Sequence, residues 1–304
     1  MTLPRIGVFD SGVGGLTVLK AMAEQIPAHY FYFGDTARLP YGTKSAETVA
    51  RYAIGATRFL EAQNIDLLVI ACNTATALAL PLIKDAAHVP VVGVVQPGAA
   101  MAAEVSKKRA AIVIATEATV SSHAYRDALA RYQIRAYEKA CPLFVPLVEE
   151  GWTEHAVTEQ VARIYLGEAM AQASSEADVL VLACTHYPLL VPLLRRVVPA
   201  KIEIVDSAES TARVVKKMIA GHPLSPMTGD KSGTADDEGR SQSLSSRARS
   251  EATSRGTPMT ATMSPVEHRT YRFYVTDSVD KFKRLAGRFL GRQADHVEHV
   301  DLGG

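Results

Sequence analysis

The sequence predicts an α/β protein made of two similar, doubly wound parallel-sheet units that face each other across a central cleft, related by a pseudo-twofold axis. Three observations carry this. Short apolar, β-branched runs alternate with amphipathic stretches, the rhythm of strands and helices in a mostly parallel sheet. The segments DLLVIACNTAT (66–76) and DVLVLACTHYP (178–188) align without gaps and share Asp, Leu, Val, Ala and Cys at five equivalent positions. A weaker correspondence, in hydrophobicity more than identity, relates IGVFDSGVG (6–14) to IVIATEATV (112–120).

The strand-like runs are RIGVFD (5–10), HYFYFGD (29–35), DLLVIA (66–71), VPVVGVV (89–95), AAIVIA (110–115) and DVLVLA (178–183). A helix is expected after Ser45, whose side chain can cap free backbone N–H groups ahead of AETVARYAIGATRFLEA. From about 224 to 268 the chain turns polar, rich in Ser, Thr, Gly and charge. Such a stretch cannot bury enough surface to offset its chain entropy, and it reads as a disordered surface insertion. Order resumes at YRFYVTDS (271–278), a strand-like run followed by the helical pattern VDKFKRLAGRFLG.

Composition narrows the function. The chain has 304 residues, 47% of them hydrophobic, enough for two domains with real cores. Lysine plus arginine (33) balances aspartate plus glutamate (32), so charge indicates neither nucleic acid nor an anionic membrane surface, and a small-molecule substrate is the simpler reading. The N-terminus carries no secretory pattern, and no apolar run approaches the roughly 18 to 20 residues that span a bilayer, so a soluble cytoplasmic protein is expected. The three cysteines, Cys72, Cys141 and Cys184, form no CxxC pair and are read as free thiols.

The chemistry-bearing segments follow the strands. Cys72 and Cys184 each stand directly after a buried strand, at the carboxyl end where open α/β sheets bind ligands. An isolated cysteine is ordinarily a small core hydrophobe. Here the duplication and the polar followers, Asn73-Thr74 and Thr185-His186, favour a site. A thiolate is a competent base, and His186 can tune or relay its proton. GVFDSGVGGLTVL invites a dinucleotide reading, but Thr17 falls where the third glycine belongs, and Asp10-Ser11 end the strand. The turn through Gly12, Gly14 and Gly15 equally suits backbone N–H groups that meet a substrate carboxylate. GDTARLPYGTKS (34–45) adds a rigid polar loop with Asp35, Pro40, Tyr41 and Gly42. No GxxxxGK[ST], HExxH or GxSxG motif occurs, and no spaced metal-ligand set is seen.

Taken together, GVFDSGVGGLTV, YFGDTARLPYG, ACNTAT, PLFVPLVEEG and ACTHYPLL resemble the motif series of the glutamate racemase branch of the aspartate/glutamate racemase superfamily. The resemblance covers residues 5–220 and reappears around 271–290. It implies cofactor-independent interconversion of L- and D-glutamate, supplying D-glutamate for peptidoglycan, in a protein that needs no metal and is expected as a homodimer. One cysteine thiolate would take the α-proton while the other, protonated, delivers a proton to the opposite face.

By the same resemblance Cys72 pairs with Asp10 and Cys184 with His186 as the catalytic set. The substrate-binding positions fall on Asp10, Ser11, Tyr41, Gly42, Asn73, Thr74, Thr185 and His186. Asp35 and Glu149 match further acidic positions that support the loops or the substrate ammonium. The family's GTxxT pattern is ATEAT here (115–119), which leaves Thr116 and Thr119 outside the carried-over set. The implied domains are 1–97 with 206–304, and 98–205. Alternatives are an aspartate or hydantoin racemase, or a single-cysteine decarboxylase of the same superfamily; two cysteines favour racemisation. A dinucleotide-dependent oxidoreductase would be indifferent to losing either thiol.

Overall fold

The structure is a computed structural model that describes residues 2–174, 176–221 and 269–303. The insertion expected at about 224–268 lies outside the described residues. The strands are β1 (Arg5–Asp10), β2 (His29–Gly34), β3 (Leu67–Ile70), β4 (Val91–Gly93), β5 (Ala110–Ala115), β6 (Arg135–Ala140), β7 (Val179–Ala183), β8 (Glu203–Asp206), β9 (Tyr271–Val275) and β10 (Val297–His299). They form a six-stranded sheet in the order β10-β9-β2-β1-β3-β4 and a four-stranded sheet in the order β6-β5-β7-β8. Every neighbouring pair is parallel. The α/β class with two parallel-sheet units is therefore as the sequence predicts.

Burial explains which segments became central strands. LLVI of β3, AAIVIA of β5 and VLVLA of β7 are buried at every residue, as a strand covered by helices on both faces must be. The edge strand β6 (RAYEKA) has no fully buried residue, and its charges suit a sheet margin.

Each sheet reverses its strand order at a central strand. β1 lies between β2 and β3, and β5 lies between β6 and β7. The chain leaves the central strand toward one side and returns on the other, which opens a crevice at the carboxyl ends. The ladders also set the correspondence between the halves. Asp10 is paired with Gly34, and Ala115 with Ala140. Phe9 is paired with Ile70, so the next step sets Asp10 beside Ala71, while Ala115 is paired with Ala183. Asp10 is thus equivalent to Ala115, and Ser11 to Thr116, one residue out of step with the hydrophobicity match. Cys72 and Cys184 occupy the same step in both halves.

The two halves are packed together. Ile6 and Val8 from β1 share one buried cluster with Ile112 from β5 and Leu180 from β7. A polar tie runs through the start of helix Asn73–Ala86, where the buried Tyr125 hydroxyl donates to Asn73 Oδ1 at 2.6 Å and Asn73 Nδ2 donates to Ser207 Oγ at 3.2 Å. Helix Ala46–Glu61 starts as expected, with the Thr48 N–H donating to Ser45 Oγ at 3.3 Å. Helix Val279–Leu290 buries Phe282, Leu285, Ala286, Phe289 and Leu290 on one face and stops at Gly291, whose φ of 76° suits glycine. Among the described residues no helix is long and apolar enough to cross a membrane.

Tyr125→Phe keeps the ring and strands Asn73 Oδ1 in a buried position. A loss of about 1–3 kcal/mol is expected in urea denaturation, with little change in the denaturant slope.

Candidate active site

One cavity of about 410 Å³ lies where the carboxyl ends of the two sheets converge, and Cys72 and Cys184 both line it. Among the expected site residues, Ser11, Tyr41, Gly42, Asn73, Thr74, Thr185 and His186 also line it. Asp10 does not; it sits just behind, fully buried. Such a volume suits a small ligand.

Cys72 is the residue before helix Asn73–Ala86. The Ala75 N–H points at its sulfur from 3.4 Å, and the thiol lies 3.5 Å from Ser11 Oγ. Burial pushes this thiol up to about 11, and the nearby Asp10 charge adds to the rise, while the Ser11 and Ala75 hydrogen bonds oppose it. Asp10 is itself raised by burial, against the backbone N–H groups of Gly15 and Gly12, the charge of His186 and the N–H of Ser11. Its Oδ2 accepts from the Gly12 N–H at 2.9 Å, and its Oδ1 has no partner.

Cys184 is likewise pushed up by burial, and the backbone N–H of His186 opposes the rise. Its sulfur stands 4.0 Å from His186 Nδ1. The other ring nitrogen, Nε2, meets Glu149 Oε1 at 3.2 Å, and Glu149 Oε2 meets Lys281 Nζ at 3.4 Å. The His186 hydrogen bond is the main reason that the Glu149 carboxyl is held below the usual range, with Lys281 contributing.

A cluster of hydroxyls also borders the cavity. Thr74 Oγ1 lies 2.9 Å from Thr116 Oγ1 and 3.2 Å from Thr119 Oγ1. Thr116 lines the cavity despite the ATEAT departure from the family pattern.

Several of the expected site residues are also held by bonds within the protein. The Tyr41 hydroxyl donates to Asp35 Oδ2 at 2.6 Å. Asp35 also accepts from Thr276 Oγ1 at 2.9 Å, tying the loop to the chain after β9. Both ends of the Asn73 amide are committed to Tyr125 and Ser207. The glycine turn has an inter-unit cause: a Cβ on Gly14 would lie 2.2 Å from Thr185 Oγ1 and 2.5 Å from His186 Nδ1. Thr17, in the third-glycine position, shares its one hydroxyl hydrogen between the Gly14 and Thr185 carbonyls, 2.9 and 3.1 Å away. The turn is therefore filled by the other half of the protein, where a dinucleotide pyrophosphate would need room. Lys281 went unnoticed in the sequence, and Val145 and Pro146 add an apolar wall. Among the described residues no group of three or more His, Cys, Asp or Glu side chains could hold a metal ion.

Thiols at equivalent strand ends of two parallel sheets, sharing one cavity, define a class of two-cysteine α/β enzymes, and the chain belongs to the Asp/Glu/Hydantoin racemase family, whose family model matches residues 6–215. Within that family its similarity is to glutamate racemases. The glutamate racemase of Koribacter versatilis (strain Ellin345) is 58% identical over 302 residues, covering 99% of this chain and 98% of the relative. The crystal structure of glutamate racemase from Francisella tularensis subsp. tularensis SCHU S4 in complex with D-glutamate superposes with a TM-score of 0.79 at 29% identity, covering 99% of each chain. The Thermus thermophilus glutamate racemase in complex with beta-chloro-D-alanine gives a TM-score of 0.76 at 37% identity, covering 98% of this chain and 97% of that one.

Burial disfavours the ionised form of both thiols, and this can be measured. Because the Cys72 shift is upward, to about 11, its thiolate fraction keeps growing past the ordinary thiol range. Its alkylation rate with iodoacetamide, followed by peptide mass mapping, should climb roughly tenfold per pH unit from pH 7 to about 9.5. A plateau near pH 8.5 would contradict the burial argument.

Proposed function

We propose that this protein interconverts L- and D-glutamate without a cofactor, using Cys72 and Cys184 as two bases on opposite sides of the α-carbon. The observation that carries the reading is the placement of both thiols, from pseudo-equivalent strand ends of separate sheets, on one small cavity. Racemisation must remove a proton from one face and add one to the other, so it needs two proton carriers on opposing walls. A single-cysteine decarboxylase leaves the second thiol without a task.

In one direction the Cys72 thiolate takes the α-proton, the C–H electron pair passes into the adjoining carboxylate, and the Cys184 thiol protonates the other face. The reverse reaction exchanges the roles. Whichever cysteine acts as the base must first lose its own proton, while the other stays protonated. Asp10, with its raised carboxyl and unpartnered Oδ1, is the acceptor for Cys72; His186 Nδ1 is the acceptor for Cys184. The substrate ammonium favours the thiolate form once bound. Fixed donors stabilise the charge that develops on the carboxylate: the helix N-terminus after Cys72, the hydroxyls of Thr74 and Thr116, and the Thr185 region. Ser11, Tyr41, Gly42, Asn73, Thr74, Thr185 and His186 frame the ligand, Tyr41 and Asn73 through loop and helix placement more than through their own polar tips.

This reading treats 1–97 with 206–304, and 98–205, as the two units, in keeping with the strand membership of the sheets. It carries with it a homodimer in the bacterial cytoplasm that supplies D-glutamate for peptidoglycan.

The test is α-proton exchange of D- and L-glutamate in deuterated water without added cofactor, with aspartate as the comparison. Glutamate should exchange and racemise, and Cys72→Ser or Cys184→Ser should each lower conversion of both enantiomers by at least about a thousandfold while the protein stays folded. Folded wild-type protein that leaves glutamate unexchanged would overturn the reading.

A further inference from the structure

The helix Val279–Leu290 follows the polar stretch in sequence, yet it reaches the Cys184 side of the cavity at three points. Lys281 Nζ lies 3.4 Å from Glu149 Oε2 and lines the cavity. Two turns on, Arg288 Nη1 donates to the Glu149 carbonyl at 2.7 Å. Phe289 meets the His186 ring edge-on, with centroids 5.2 Å apart and planes at 81°. A continuous chain of polar contacts thus runs from the Cys184 sulfur through His186 and Glu149 to the half-exposed ammonium of Lys281. Among the described residues no such chain of contacts leads to Cys72, beside which Asp10 is buried with its Oδ1 unpartnered.

From this we infer that Lys281 is a positioning residue for one of the two proton transfers, the one at Cys184. The inference rests on the racemase reading above. Lys281 neutralises Glu149 from the solvent side and holds the carboxylate in the rotamer whose Oε1 takes the His186 Nε2 hydrogen. That bond fixes the ring and its tautomer, leaving Nδ1 as the acceptor that faces the thiol. Without the ammonium, Glu149 is free to turn toward water, and the ring loses its orientation. Lys281 itself touches no reacting atom.

A residue that serves one proton transfer leaves a signature that general damage does not. The equilibrium constant between enantiomers is unity, so kcat/KM must fall by the same factor in both directions. The isotope effects need not. In the direction where Cys184 takes the proton, slowing that step exposes the primary effect of an α-deuterium. In the opposite direction Cys72 takes it, protonation by Cys184 becomes limiting, and the α-deuterium effect shrinks.

The experiment compares wild type, Lys281→Met, Lys281→Arg, Glu149→Gln and the Lys281→Met/Glu149→Gln pair, using unlabelled and α-deuterated D- and L-glutamate, with thermal melts of each variant. Lys281→Met should lower kcat about five- to tenfold with KM within about twofold, and should drive the two enantiomers' isotope effects in opposite senses. Lys281→Arg should restore kcat to within about twofold, and in the Glu149→Gln background Lys281→Met should change kcat by less than about twofold. A rise in KM with kcat preserved would show that Lys281 holds substrate and would overturn the inference. Isotope effects that move together, or additive losses in the pair, would overturn it too. Wild-type protein inactive on both enantiomers would instead remove the racemase reading, and the inference with it.

Discussion

Desolvation of two thiols is the constraint on which this architecture turns. A thiol in water near neutrality is partly ionised and only weakly basic, whereas a thiol sealed in a cavity resists ionisation and becomes a stronger base once its proton is gone. The α-proton of an amino acid is so weakly acidic that this gain in basicity matters. The same burial makes the resting thiols inert, so each needs a local acceptor and a few donors that return part of the lost hydration. Cys72 has the Ala75 N–H, Ser11 and the carboxyl of Asp10 in its surroundings; Cys184 has the His186 backbone and ring. The crevice at the sheets' carboxyl ends is where strand termini and helix N-termini supply such donors without further elaboration.

A pseudo-twofold arrangement answers the stereochemical requirement, since it brings like groups to opposite sides of one carbon. It is broken where chemistry needs differences. The ladder sets Asp10 against Ala115, and the strand ends set His186 against Thr74. Asp10 and His186 interact with each other, as the lowering effect of His186 on Asp10 shows, while Thr74, the counterpart of His186, joins a hydroxyl cluster with Thr116 and Thr119. The cavity wall is therefore uneven, with the His186–Glu149 pair at one place and the Thr74–Thr116 hydroxyls beside Glu117 at another.

Much of this was legible in the sequence because burial leaves a clear pattern. β1 and β5 span the same residues as their apolar runs, and the internal repeat pointed to both thiols, to His186 and, through the strand end, to Asp10. β6, β8 and β10 were missed because edge strands need little hydrophobicity: RAYEKA and EIVD read as ordinary connections. Side-chain direction is beyond the reach of sequence: Tyr41 and Asn73 line the cavity as expected, and only the fold shows that the Tyr41 hydroxyl goes to Asp35 and the Asn73 amide to Tyr125 and Ser207. Lys281 is one of several cations on an amphipathic helix, and only the fold singles it out.

The contacts that join the halves differ in strength according to how far each is buried. The Tyr125–Asn73 bond, the Thr74–Thr116 contact and the Thr17 bond to the Thr185 carbonyl are buried or nearly so, and leaving a buried polar partner unsatisfied costs about 1–3 kcal/mol each. The Lys281–Glu149 pair is half in water on its lysine side, where ion pairs contribute about 0.2–1 kcal/mol. Gly14 adds a packing constraint, because its backbone touches Thr185 and His186 closely enough to exclude any side chain. Separating the halves at the buried ties would forfeit several such terms at once, whereas parting Lys281 from Glu149 forfeits one weak pair. Helix Val279–Leu290 adds to that pair the Arg288 bond to the Glu149 carbonyl and the Phe289 ring against His186, so the support of His186 draws on exposed and buried contacts together, whereas Asp10 and Ala75 beside Cys72 are both buried.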